Sequence, residues 1–222
     1  MNLGQTLSAA REAWALLAAH PIRWLGVIVL FIVAVEALMF VPYVGFVVKL
    51  AVAGVAAAQV VAMFAAAAGG KAPSPLGIFG GFARPVAAQA ALAFVALLPF
   101  AAGMLYLYLK AGPSAIEFFF GNIVETKPPS AQLFAQSKYV MHFVALPFTL
   151  LAGVVVLKGL SGFTAIAAAV AAAVTHWLPV VLLGALAFVF EWVAVQLASS
   201  LPKPVAAVLG GVLLVLFVAW SF

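Results

Sequence analysis

The chain has no cysteine. Disulfides, thiolate nucleophiles and cysteine-ligated zinc or iron–sulfur clusters are excluded with it. It has no aspartate, and its five acidic residues are all glutamate. A Ser-His-Asp triad and aspartate-based metal sites therefore cannot be assembled. Charge of either sign is scarce, at 7% of 222 residues, against about a quarter in a soluble domain. None of the three histidines stands at metal-ligand spacing from another histidine or from a glutamate. "GIFGGF" (77–82) lacks the Lys-Ser/Thr of a phosphate loop and a strand before it. The expectation is a protein that is not an enzyme and carries no cofactor.

What the chain has is apolar surface. Hydrophobic residues make up 68% of it, more than a soluble domain of this length can bury while keeping a wet exterior. The apolar runs are continuous rather than alternating, which points away from a β-barrel. Helices then remain to satisfy the backbone within lipid. The fold class expected is all-α: one polytopic transmembrane helical bundle over 1–222, with about six spans and two or three interfacial helices. The net charge of +5 comes from scattered single Lys and Arg, a pattern of headgroup-level side chains and not of a nucleic-acid footprint. The first apolar run follows a segment too long for a signal-peptide n-region and reads as a retained anchor, although "AVEA" (34–37) resembles a cleavage site.

Six spans are expected at about 22–41, 46–68, 86–109, 139–158, 180–198 and 205–222, each near the roughly 20 residues a crossing needs. Residues 3–19 place Leu3, Leu7, Ala10, Trp14, Leu17 and Ala18 on one helical stripe, as in a helix lying on the membrane. Residues 163–178 are alanine-rich and short for a crossing, so a surface or re-entrant helix ended by Pro179 is expected. "IFGGFARP" (78–85) reads as a short interfacial stretch, and 110–138 as the outer loop, with Ser130 as a helix N-cap. Gly54, Ala58 and Ala65 offer a small-residue packing face. Helix breaks are expected at Pro21, Pro85, Pro99, Pro147 and Pro179.

This arrangement puts Tyr43, Tyr106, Tyr108 and Tyr139 at one face and Trp14, Trp24, Trp177 and Trp220 at the other, as interfacial anchors; Trp192 departs from the pattern. Five basic residues face five. Arg11, Arg23 and Arg84 all lie on the Trp side, which is placed in the cytoplasm with both termini.

Three stretches share a design: "AAHPIRWLGVIVL" (18–30), "GFARPVAAQAALAF" (81–94) and "VTHWLPVVLLGALAF" (174–188). Each sets a basic or imidazole side chain and a proline before an apolar run, and two add Trp. Proline breaks the helix where the chain turns into the bilayer. With "VPYVGFVVKL" and "GIFGGFARP", these stretches resemble a group of uncharacterised bacterial polytopic inner-membrane proteins. The resemblance implies a bacterial inner-membrane location and an architecture. It implies no activity, because the group has none assigned.

Ionisable residues within spans are the main functional pointers. Glu36, Lys49, His142 and Glu191 fall in the outer half of the six-span arrangement. They read either as a proton- or ion-handling site or as structural pairs, Glu36 with Lys49 and Glu191 with His142 or a loop lysine. Met39, Met141 and His142 share that level and are a metal candidate, weighed against methionine as packing filler. Gln59, Gln89 and Gln196 read as interhelical hydrogen-bond formers. The function expected is a structural or accessory membrane component, with membrane lipids and another membrane protein or a second copy as partners and no nucleic acid. The alternative is a small proton- or ion-coupled transporter or channel using Glu36, Glu191 and His142.

Overall fold

The computed structural model describes residues 3–38, 41, 44–120, 129–182, 184–185 and 188–189. Met39, Tyr43, Glu191, Trp192, Trp220 and the expected span 205–222 lie outside them. Every regular element among the described residues is helical. The α-helices are α1 (Leu3–Ala19), α2 (Pro21–Ala37), α3 (Gly45–Ala68), α4 (Val86–Ala111), α5 (Pro113–Phe120), α6 (Ala131–Ala145), α7 (Leu151–Leu157) and α8 (Gly162–Thr175). A 3-10 helix, Pro75–Ala83, lies between α3 and α4, and a 3-10 turn, Leu146–Phe148, joins α6 to α7. Among the described residues three helical runs are long and apolar enough to cross a membrane: α3, α4 and the run Gln132–Leu157. α2 has 17 residues, about 26 Å at 1.5 Å per residue, just under a hydrocarbon core of roughly 30 Å.

The helix boundaries follow from the chemistry of their end residues. His20 (φ −140, ψ 57) leaves helical geometry, and Pro21 opens α2 at a position where a missing N–H costs nothing. The His20 carbonyl accepts from Trp24 N at 3.1 Å. Pro85 (φ −52, ψ 140) caps α4, and its carbonyl accepts from Gln89 N at 3.1 Å. His176 (φ −114, ψ 41) does the same after α8, accepting from Val180 N at 3.2 Å. One backbone solution thus serves all three proline stretches.

Two expected breaks are corrected. α8 ends at Thr175, and Pro179 sits in the first turn of the helical residues 177–182 instead of ending the helix before it. α4 runs on through Pro99; the ring removes one N–H, and the remaining bonds of a long helix hold the run together. Pro147 does interrupt, between α6 and α7. There the Leu146 carbonyl accepts from both the backbone N and the hydroxyl of Thr149, at 3.3 and 2.9 Å. Ser130 caps α6, its Oγ accepting from Leu133 N at 3.3 Å.

Packing centres on α3. Its face toward α2 carries Val60, Met63 and Phe64, which form one core with Trp24, Val27 and Ile78. Its face toward α4 joins a second core of Val55, Ala58, Leu92, Val154, Ala165 and Ala169. Gly54 lets α4 approach closely: a Cβ there would lie 2.7 Å from both the Leu92 carbonyl oxygen and the Ala96 Cβ. Ala58 is fully buried, but Ala65 is exposed, so the small-residue face stops short of the expected third member. α4 and α6 pack through Gly103, with the Met141 side chain occupying the space that a Cβ would fill.

α8 lies in the bundle. Ala165, Ala169 and Ala173, four residues apart, are 0, 0 and 5% exposed, while Phe163 and Val174 face outward. Gly162 stands opposite Ala87 at the start of α4. α8 also contacts the 3-10 turn at Pro147, which lies more than two helical turns back along the chain from the end of α7. Its alanines are therefore spent on close helix packing in the same core as α4 and α7. Beyond His176, Gly184 packs on Leu146, and Phe188 lies 5.4 Å from the ring of Tyr139 and 5.8 Å from that of His142. Gly162 thus lies beside the start of α4 and Phe188 beside the second half of α6.

Gly54→Leu is expected to destabilise the folded chain by about 1–3 kcal/mol through overpacking. Ala65→Leu, on the exposed side of the same helix, stays within about 0.5 kcal/mol. Thermal unfolding of both variants in one detergent checks the contrast.

Candidate functional site

Of the four ionisable residues expected within the spans, the structure joins two. Glu36 is the penultimate residue of α2 and Lys49 is in the second turn of α3, so the short connection between the helices brings them face to face. Lys49 Nζ donates to Glu36 Oε1 at 2.6 Å, with the side chains 23% and 58% exposed. His142 lies on α6, with its ring edge-on to Phe188. Glu191 lies outside the described residues. Among the described residues there is no group of three or more His or Glu that could hold a metal ion. Met141 packs at the α4–α6 contact, against Gly103 and beside Met104 and Leu107. A thioether on a flexible stem suits that packing role.

A second polar constellation, not foreseen as one, surrounds the 3-10 helix Pro75–Ala83. Gln59, in the middle of α3, donates Nε2 to the Gly77 carbonyl at 2.8 Å, and its Oε1 accepts from Arg84 Nη2 at 3.4 Å. Gln89, in the first turn of α4, donates to the carbonyls of Phe82 and Arg84 at 2.9 and 2.7 Å. The two amides pin an irregular backbone from both sides. A 3-10 segment leaves carbonyls without helical partners, and side-chain amides supply donors where lipid cannot.

The glycines of "GIFGGF" are explained by the same contact. A Cβ at Gly80 would meet Gln59 Nε2 at 2.7 Å, and one at Gly81 would meet the Val55 carbonyl oxygen at 3.0 Å. Ile78 is buried beside Trp24 and Phe64. Gly26 of α2 accommodates Pro75, whose Cγ would lie 2.9 Å from a Cβ there. This stretch, expected to be interfacial, packs against both α2 and α3. Two glycines two turns of chain after a Gly/Pro loop, with a lone glutamine in the preceding span, are the signal that could have marked it.

The aromatic anchors divide. Trp14 and Trp177 are 61% and 63% exposed, and Tyr108 and Tyr139 are also exposed, as anchors in lipid would be. Tyr106 donates its hydroxyl to Gln136 Oε1 at 2.8 Å, fastening α4 to α6. Trp24 is a correction. It is 2% exposed, stacks on Phe64 at 4.2 Å and donates Nε1 to the Leu16 carbonyl at 3.3 Å. Its indole closes the junction of α1, α2 and α3, with the ring in the core and the N–H matched to a carbonyl near the end of α1.

Trp24→Ala is expected to cost about 3–5 kcal/mol, and Trp14→Ala no more than about 0.5 kcal/mol. In single-tryptophan variants, Trp24 emission should be blue-shifted and shielded from an aqueous quencher, with Trp14 emission quenched. Equal quenching of the two would contradict the buried placement. Comparison of the chain with protein-family models, with curated proteins and with solved structures finds no match.

Proposed function

We propose that this chain is a non-enzymatic integral membrane protein of the bacterial inner membrane, acting as a structural or accessory component through contacts with lipids and with another membrane protein or a second copy of itself. In this reading it crosses about six times, with both termini in the cytoplasm. The observation that carries the proposal is the Glu36–Lys49 ion pair. Lys49, on the next helix, holds Oε1 of Glu36 at 2.6 Å, so the carboxylate is matched by a cation of the same chain. The pair supports a bracket that fixes two helix ends, the usual way in which a charge is tolerated at membrane depth.

The outward surface supports the same reading. Phe94, Leu105 and Leu109 on α4 and Phe143 on α6 are all more than half exposed, the arrangement of helices whose outer faces meet acyl chains or the faces of other helices.

Reconstitution into vesicles separates this proposal from a proton- or ion-coupled transporter. The bracket reading expects Glu36→Gln and Lys49→Met each to lower the thermal midpoint, and the exchanged pair E36K/K49E to restore most of the loss. It expects no pH-gradient-driven flux above that of protein-free vesicles. A flux that Glu36→Gln abolishes and the exchanged pair does not restore would establish the transporter in its place.

A further inference from the structure

One end of the bundle collects unpaired positive charge. The start of α2, the end of α3, the 3-10 helix and the start of α4 meet there, as the contacts of Trp24 with Phe64 and of Pro75 with Gly26 require. Arg23, Lys71 and Arg84 belong to that end. Lys158 joins them, since the start of α8 just after it lies against Ala87. Among the described residues none of these four forms an ion pair. Glu12, the acidic residue nearest in sequence to this end, accepts instead from the Ser8 hydroxyl at 3.1 Å. Arg23, Lys71 and Lys158 are exposed and can be hydrated.

Arg84 differs from the other three. It is half-buried; among the described residues its Nε is shut off from solvent with no acceptor, and its side chain makes one hydrogen bond, the 3.4 Å contact of Nη2 with Gln59. A guanidinium stays charged at any accessible pH and carries five donors in a planar fork. One long bond to a neutral amide leaves that fork under-satisfied. The residue is nevertheless held in place, because Gln59 clamps the backbone before it at Gly77 and Gln89 clamps it at Phe82 and at Arg84 itself. Immediately beyond it, Val86 and Ala87 are exposed apolar residues opening a helix of 26 residues that can cross the membrane. Arg84 therefore stands where polar headgroup gives way to hydrocarbon.

We infer that Arg84, in the notch between the 3-10 helix Pro75–Ala83 and the start of α4, binds the phosphodiester of an anionic phospholipid. Arg23, Lys71 and Lys158 supply the surrounding positive field. A phosphate matches the guanidinium fork with two parallel bonds, which a single ammonium cannot offer. The inference rests on the proposed membrane role and names the lipid class it involves.

The test titrates the detergent-purified full chain with phosphatidylglycerol or phosphatidylcholine, counting bound lipid by native mass spectrometry, with inorganic phosphate as competitor. Wild type is expected to prefer phosphatidylglycerol at least about tenfold. Arg84→Gln abolishes that preference. Arg84→Lys, which keeps the charge and the fold but loses the fork, removes most of it. The double variant R23Q/K71Q keeps the tightest-bound lipid and loses only weaker, salt-sensitive binding. A preference unchanged in either Arg84 variant overturns the assignment, and Arg84→Lys decides the matter if Arg84→Gln fails to fold. Displacement of the lipid by millimolar inorganic phosphate also overturns it, in favour of a soluble anion. A flux in vesicles would refute the accessory role and leave the comparison of Arg84 variants standing.

Discussion

The close approach of other backbones to α3 is the constraint on which the rest of the structure depends. Lipid tails are as apolar as leucine, so burial of apolar area does little to hold one membrane helix against another. Association rests on contact distance and on matched polar groups. α3 meets both needs along its length. Gly54 admits α4 to within contact of the Leu92 carbonyl, and the Val55 carbonyl receives Gly81. Gln59, four residues after Val55, reaches the Gly77 carbonyl. Ala58 lies fully buried between these contacts. With larger residues at these positions, the 3-10 helix would be pushed away from α3 and Trp24 would lose Ile78 from its core. The exposed Ala65 shows that small residues alone do not make an interface. The positions that matter are those where a second backbone arrives.

Polar side chains in this bundle are mostly committed to its own backbone. The hydroxyl of Ser137, the fully buried polar residue, donates to the Phe134 carbonyl one turn back. Thr164 and Thr175 make similar bonds to Ser161 and Ala171. Gln59 and Gln89 serve carbonyls of the 3-10 helix, and Tyr106 serves Gln136. Glu36 and Lys49 neutralise each other at a helix turn. Each of these satisfies a group that would otherwise be stranded at low dielectric. The Arg84 fork stands apart from this economy, since most of its donors meet no acceptor among the described residues. That contrast makes it the more informative polar group, although the glutamates stand out more in the sequence.

Helicity, the breaks at Pro21 and Pro85, the Ser130 cap and, as one of two readings, the pairing of Glu36 with Lys49 were legible in the sequence, because each depends on residues close along the chain; the third break was expected at Pro179 and falls at His176. Composition excluded soluble and barrel classes, and proline chemistry is local. What escaped is tertiary. Trp24 follows a basic residue and precedes an apolar run, which is how an interfacial anchor reads; Phe64, 40 positions away, makes it a core residue. Pro99 reads as a break, yet a helix with ample bonding on both sides carries it. In "GIFGGF" nothing local shows that Gly80 and Gly81 are needed against Gln59 and Val55. The alanines of α8 read as weak drivers of insertion. Their spacing of four reveals a packing stripe only when partners with matching small or branched residues, such as Ala88 and Val154, are in view. The proposed Arg84 site was hidden for the same reason: a single arginine before a proline looks like any headgroup-level cation until its missing acceptor is seen.

The breaks also show how irregular backbone is accommodated within the bundle. At His20 and Pro85 the chain bends where α1 and the 3-10 helix hand over to α2 and α4. The break at His176 comes after α8 has already packed along α4 and α7, and α8 reaches the 3-10 turn at Pro147. Irregular backbone at membrane depth survives only where protein covers it or local bonding restores what the break removes. Both conditions are met. His176 N donates to the Ala172 carbonyl at 2.8 Å and the His176 carbonyl accepts from Val180, so bonding resumes within one turn. At Pro147 the Thr149 hydroxyl reinforces the bond to Leu146, while Gly184 packs directly on the Leu146 side chain. A Cβ at Gly184 would press on the end of the Leu146 side chain, so the helical residues beyond the His176 break lie directly against the turn at Pro147.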